Sequence, residues 1–264
     1  MKSVRKLLAD RGLEAAFLLS VVVLVLQLAW PTIDAWRNRP RAGRMGVHHI
    51  GKVDETFPGL AKRTLIYLPE QFNGPSQEWP LLLYLHGSGE RAWDPAEVER
   101  FGLPARLGSD FHLPAIVVAP QCTPSQSWNT ESLVELLDTV ESQYPVDRRR
   151  VYVMGHSMGG FGAWELARRV PDRIAAVLLL CGGGEVRESD EVRDVAVWAI
   201  HGEGDAVVPP DRSLTLVSHL KAKGLRAKHT LLPGEGHAIQ DYPFSHPEVF
   251  DWLFSQHKHK VRAA

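Results

Sequence analysis

The chain has 264 residues, 44% of them hydrophobic, and a formal net charge of −1. That is ample apolar material for one large core, and the near-zero charge argues against nucleic acid or another strongly charged partner. Two cysteines, Cys122 and Cys181, exclude a disulfide framework and a cysteine metal cluster.

The N-terminus differs from the rest. Ala15 to Ile33 is a run of nineteen uncharged residues, mostly apolar. As a helix it would be roughly 28 Å long, close to the hydrocarbon thickness of a bilayer. Lys2, Arg5, Lys6 and Arg11 precede it, and Trp30 and Trp36 sit where an interfacial belt would lie. No small-x-small cleavage site follows, so residues 1–33 are expected to be a short cytoplasmic stub and a retained anchor. The alternative is a signal peptide, cleaved to release a secreted protein. Residues 34–46 then read as a basic linker, and 47–264 as the folded domain.

From Val47 the pattern alternates strands and helices. The segment near 47–54 is expected to form a hairpin with the strand "RTLIYLP" (63–69). "PLLLYLHG" (80–87) and "PAIVVAP" (114–120) are continuous apolar runs, as in strands buried on both faces. An amphipathic helix is predicted over 129–145, with Thr130 as its N-cap. The run Val151–Met154 is a strand and Phe161–Arg169 a helix. Strands follow at 173–184 and 195–205, then a helix at 211–224 closed by Gly224. The last strand is 227–233 and the last helix 246–257. This order predicts an α/β fold, with a mostly parallel eight-stranded sheet and helices on both faces. Cys122 and Cys181 each end a predicted strand, and those strands should not be neighbours. Both are expected to be free and partly buried.

Between the strand at 151–154 and the helix at 161–169 lies Gly155-His156-Ser157-Met158-Gly159-Gly160. So tight a corner presses the helix start against the strand, and Gly155 and Gly159 remove side chains that would clash. Ser157 is left on a strained backbone with its hydroxyl above the sheet. Gly-x-Ser-x-Gly by itself is a weak pattern; the flanking strand and helix give it weight.

A serine hydroxyl needs a general base, and the base needs an orienting carboxylate. In an open α/β sheet, groups at the carboxyl ends of strands meet. Past the strand at 195–205 the turn presents Asp205, which is preferred over the nearby Glu203. Past the last strand, His237 sits on a glycine-rich loop. The chain order Ser157, Asp205, His237 is the one this architecture requires. An oxyanion would need two donors. Met158 N–H, at the start of its helix, is one; Ser88 or Gly87 in "HGSGERAWD" would supply the other. His86 and His201, each before a glycine at a strand end, read as structural. His156, inside the elbow, reads as a packing residue bordering the substrate. No cofactor or metal is called for.

With these residues the chain resembles the α/β-hydrolase superfamily over 47–257. More narrowly, it is similar to carboxylesterases and predicted peptidases grouped with polyhydroxybutyrate depolymerases, feruloyl esterases and dienelactone hydrolases. The stretches that carry the likeness are "YLHGSGERAWD", "PAIVVAPQC" followed by Trp128, "GHSMGGFGAWELARRVPDRIAAVLLLCGGG", "VWAIHGEGDAVVPP" and "GEGHAIQDYPFSHPEVFDWLFSQ". The resemblance implies the α/β-hydrolase fold, the triad Ser157, Asp205 and His237, and Gln121 and Trp128 near the substrate mouth. After the histidine that group usually carries a tryptophan; this chain has "AIQDYPF". No lid is evident, since Gly184 to Asp194 is short and charged. An open cleft taking small or polymer-end esters is therefore expected, as a serine esterase working through an acyl-enzyme. Two alternatives are a peptidase or amidase on the same triad, and a non-catalytic, membrane-tethered binding domain. An intact triad argues against the binding domain.

Overall fold

A computed structural model describes residues 42–49, 57–107, 109, 111–186 and 192–258. The predicted anchor at 15–33 and most of the linker lie outside these residues. Among the described residues no helix is long and apolar enough to cross a membrane.

The strands are β1 (Met45–His49), β2 (Leu60–Tyr67), β3 (Trp79–Leu85), β4 (Ile116–Cys122), β5 (Val146–His156), β6 (Ala176–Leu180), β7 (Ala196–Gly202) and β8 (Ala227–Leu232). They form one eight-stranded sheet in the order β1-β2-β4-β3-β5-β6-β7-β8. β1 pairs antiparallel with β2, and β2 antiparallel with β4. Every other pairing is parallel. The helices are α1 (Gly102–Leu107), α2 (Thr130–Gln143), α3 (Met158–Arg169), α4 (Asp211–Ala222) and α5 (Glu248–Ser255).

Strand alternation splits the core into two layers. Leu81, Leu83 and Leu85 of β3 face one way, where they join buried residues of α2, α3 and α4. Leu82 and Tyr84 face the other way, with residues of α1 and α5. Helices therefore cover both faces. That is why β3, β4, β6 and β7 are buried along their whole length and read as unbroken apolar runs. Each fully buried leucine contributes about 1.5–3 kcal/mol.

Several boundaries differ from the sequence reading. The hairpin strand begins at Met45, so the end of the predicted linker is drawn into the sheet, where Gly43 N–H donates to the Leu68 carbonyl at 2.8 Å. β5 starts at Val146, five residues before the apolar run, because Asp147–Arg150 are partly or fully exposed and carry no apolar signature. The N-cap of α2 is Asn129, not Thr130: its side-chain oxygen accepts Ser132 N–H at 2.9 Å. Helix α4 stops as expected before Gly224, which sits at φ 73°. Cys122 and Cys181 are free as expected, but fully rather than partly buried. Their strands, β4 and β6, are separated in the sheet by β3 and β5.

Candidate active site

The elbow lies where β5 meets α3, in the middle of the sheet. Ser157 has φ 54° and ψ −118°, a left-handed backbone rare for a side chain. A Cβ at Gly155 would overlap the Gly159 carbonyl, and one at Gly159 would overlap the carbonyl of Leu85 on β3. Helix, turn and strand thus touch backbone to backbone, and only glycine fits at either position.

The groups predicted from separate strand ends come together. Ser157 Oγ lies 2.9 Å from His237 Nε2. On the other side of the ring, His237 Nδ1 lies 2.7 Å from Asp205 Oδ2. The second oxygen, Asp205 Oδ1, accepts the N–H groups of Val207 and Val208, each at 2.9 Å. Burial pushes the Asp205 carboxyl pKa up, but the hydrogen bonds from His237, Val208, Val207 and Cys181 outweigh it. The carboxyl is held well below its ordinary 3.8. Cys181 is no rival nucleophile, since burial pushes its thiol up to about 12. Glu203 is exposed, with its backbone N–H on the Leu232 carbonyl.

The loop after β3 is held from several sides. His86 is 1% exposed. Its Nδ1 lies 2.7 Å from the Gly87 carbonyl, and its Nε2 accepts Cys122 N–H at 3.0 Å. Burial pushes its pKa down to about 4, so the ring stays neutral and structural, as the sequence reading had it.

Gln121 and Trp128 turn inward. The Gln121 amide nitrogen donates to the carbonyls of Glu90 and Cys122 at 2.8 and 2.9 Å, and its side chain is fully buried. Trp128 Nε1–H donates to the His86 carbonyl at 3.1 Å, with its ring edge-on to the imidazole. Both residues brace the loop from beneath. The Trp128 N–H and the Gln121 amide nitrogen are spent on backbone carbonyls, while Gln121 Oε1 is buried with no hydrogen-bond partner. His156 is likewise packed: its Nε2–H donates to the His237 carbonyl at 2.8 Å, and the residue is 6% exposed.

One correction concerns the oxyanion donors. Gly87 N–H is taken by the Glu90 carboxylate, so it is not open to substrate. Ser88, the other residue considered, is exposed. Met158 opens α3, and the first N–H groups of a helix have no acceptor within it. Glu90 was missed in the sequence; its only signal was a carboxylate three residues past a glycine. Burial raises its pKa above the ordinary value, and the bond from Gly87 N–H works against that rise.

A test follows from this clasp. Glu90→Ala should lower activity about 10-fold or more by loosening the donor loop, while Glu90→Gln, whose amide oxygen still accepts Gly87 N–H, should stay within about threefold. Steady-state kinetics of both variants check it; equal losses would show that the clasp does not work through this acceptor.

The family model for the alpha/beta hydrolase fold matches residues 80–223, more than half of the chain. The chain belongs to this family. A bifunctional acetylxylan esterase/xylanase of Neocallimastix patriciarum is 26% identical over 156 residues, 57% of this chain and 22% of that protein. The chain thus spans about a fifth of that relative's length. Among solved structures, a thermostable esterase is 28% identical with a TM-score of 0.64, over 74% of this chain and 59% of the other. A feruloyl esterase module from Clostridium thermocellum, solved with sinapinate, has a TM-score of 0.57 over 88% of this chain and 95% of its own. At 17% identity that is a likeness of fold.

Proposed function

We propose that this alpha/beta hydrolase cleaves carboxylic esters through an acyl-enzyme on Ser157, His237 and Asp205. The carrying observation is the unbroken hydrogen-bonded line from Ser157 Oγ through the His237 ring to Asp205 Oδ2. The relatives named as esterases agree with this reading.

The chemistry follows from the geometry. His237 Nε2 takes the Ser157 proton as Oγ attacks the ester carbonyl carbon. The imidazolium so formed is stabilised by Asp205, whose depressed pKa keeps it ionised. The carbonyl oxygen gains negative charge and is met by the N–H groups of Met158 and Ser88. His237 returns the proton to the departing alcohol. A water, deprotonated by the same ring, then attacks the acyl carbon and frees Ser157. Small or polymer-end esters suit the absence of a long insertion between β6 and β7. A panel of p-nitrophenyl esters, feruloyl esters and aminoacyl amides, with and without a serine-reactive phosphonate, tests the reading. Turnover of esters that the phosphonate abolishes supports it, and turnover of amides alone would replace it with a peptidase.

The uncharged run at 15–33 supports a membrane anchor, with the hydrolase outside the cytoplasm. Four basic residues precede the run and four follow it closely (Arg37, Arg39, Arg41 and Arg44), so charge counting alone does not orient it. A long folded domain can translocate regardless of charge, which favours the outward placement. Protease added to intact spheroplasts should digest the hydrolase domain, and carbonate washing should leave the protein in the membrane. Protection from protease would reverse the topology; release with a trimmed N-terminus would mean a cleaved signal peptide.

A further inference from the structure

Behind the triad lies a second line of polar side chains that the proposed reaction does not use. His201, the penultimate residue of β7, is 0% exposed, as is Ser213 on α4. His201 Nε2 lies 2.9 Å from the Val208 carbonyl and 3.1 Å from Asp205 Oδ2. A carbonyl only accepts, so Nε2 carries the hydrogen and shares it between Val208 and the carboxylate. On its far side, His201 Nδ1 lies 2.8 Å from Ser213 Oγ, and Ser213 Oγ lies 3.0 Å from Nε2 of the half-buried His229 on β8. One arrangement of hydrogens satisfies this line with a neutral His201. His229 Nε2–H donates to Ser213 Oγ, and the Ser213 hydroxyl, which also lies 3.1 Å from the Pro210 carbonyl, donates to the nearer His201 Nδ1. His201 Nε2–H is then left for Asp205.

We propose that His201 is a positioning residue for Asp205, held in the required tautomer by Ser213 and His229. The carboxylate is pinned from every side. Oδ1 takes two backbone N–H groups, and Oδ2 takes two imidazoles, His237 and His201. Turning it away from His237 would break the His201 bond as well. Apolar side chains at 201 and 213 would fill the same interior with no polar atoms to satisfy, so the line costs desolvation that packing alone does not require. Among the described residues, the other ionisable groups around this line are the Cys181 thiol beside Asp205, His156 and the Glu90 carboxyl near His237, and Lys221 of α4 near His229.

This inference rests on the triad reading, and the experiment separates the two. In the full chain, His201→Leu, His201→Gln and Ser213→Ala are compared with wild type. The readouts are kcat and KM for p-nitrophenyl acetate, counted per site titrated by a p-nitrophenyl phosphonate, and the pH profile of kcat/KM. His201→Leu should lower kcat per titrated site about 10- to 100-fold. KM should stay within about twofold, because no substrate contact is lost. The acid limb of its pH profile should move to lower pH, since a carboxylate no longer held against His237 favours its imidazolium less. His201→Gln keeps an N–H for Asp205 and should recover most of the rate and the wild-type limb. Ser213→Ala, the milder change, should fall between them.

Unchanged kcat per titrated site with superimposable profiles would overturn the proposal. So would equal losses for Gln and Leu, the mark of a merely structural residue. If wild type neither turns over ester nor takes up phosphonate, the esterase reading fails. Crystal structures of Ser213→Ala and His201→Leu then decide the positioning role: an Asp205 carboxylate turned from His237 supports it, and an unmoved one overturns it.

Discussion

Ser157→Ala is expected to lower ester turnover by at least about 10³-fold while the fold persists. The elbow would survive the change, because its constraints are not carried by the hydroxyl. The backbone N–H of residue 157 still meets the Leu180 carbonyl at 2.8 Å, and Gly155 and Gly159 still admit the close contacts of β5, α3 and β3. The left-handed φ of 54° strains alanine no more than serine. The one loss is the oxygen 2.9 Å from His237 Nε2, and with it the covalent route. Residual rate would come from the oxyanion donors and binding alone. Kinetics on a p-nitrophenyl ester, with a thermal melt as fold control, measure it. Activity above about a tenth of wild type in the folded variant would mean that Ser157 is not the nucleophile.

Asp205→Asn should cost about 10⁴-fold in kcat, and Glu203→Gln little. An asparagine at 205 fits the space but offers His237 an amide in place of a charge, so the ring loses its tautomer control and its imidazolium loses its counter-charge. Glu203 points to solvent two residues away. The reverse ranking in the same assay would move the acid to Glu203. The pH dependence has a definite sign. The folded Asp205 pKa is depressed, so its contribution to stability is present above the unfolded value of about 3.8 and is lost as pH falls through the folded one. The stability gap between wild type and Asp205→Asn should therefore narrow as pH drops below 3.8, followed by chemical denaturation. Above that pH the carboxylate stays charged, and Asp205 adds no limb to the activity profile.

Much of this was written in local pattern. Unbroken apolar runs marked β3, β4, β6 and β7, because a strand covered by helices on both faces leaves no position for polar residues. The glycines around Ser157 marked the elbow, because a strand turning directly into a helix brings backbones into contact. The order of Ser157, Asp205 and His237 followed from where parallel strands end. What the sequence by itself determined was therefore whatever depends on neighbours along the chain or on the direction of strands.

Contacts between distant segments were decided only in three dimensions. Whether Gly87 or Ser88 opens its N–H to substrate depends on where the Glu90 carboxylate folds back. Gln121 and Trp128 carry polar atoms that suit a cleft equally well, and only the position of the loop after β3 turns them inward to brace it. Asn129 and Thr130 are both good N-cap residues, separated by one step of backbone that composition does not register. His201 is the clearest instance. Its sequence context, a histidine before a glycine at a strand end, is the same as that of His86. Yet His86 meets the backbone of its own loop and of β4, while His201 meets Asp205 on one side and Ser213 on the other. A side chain's role here is set by what the sheet order places across from it, and that partner lies on another strand or helix.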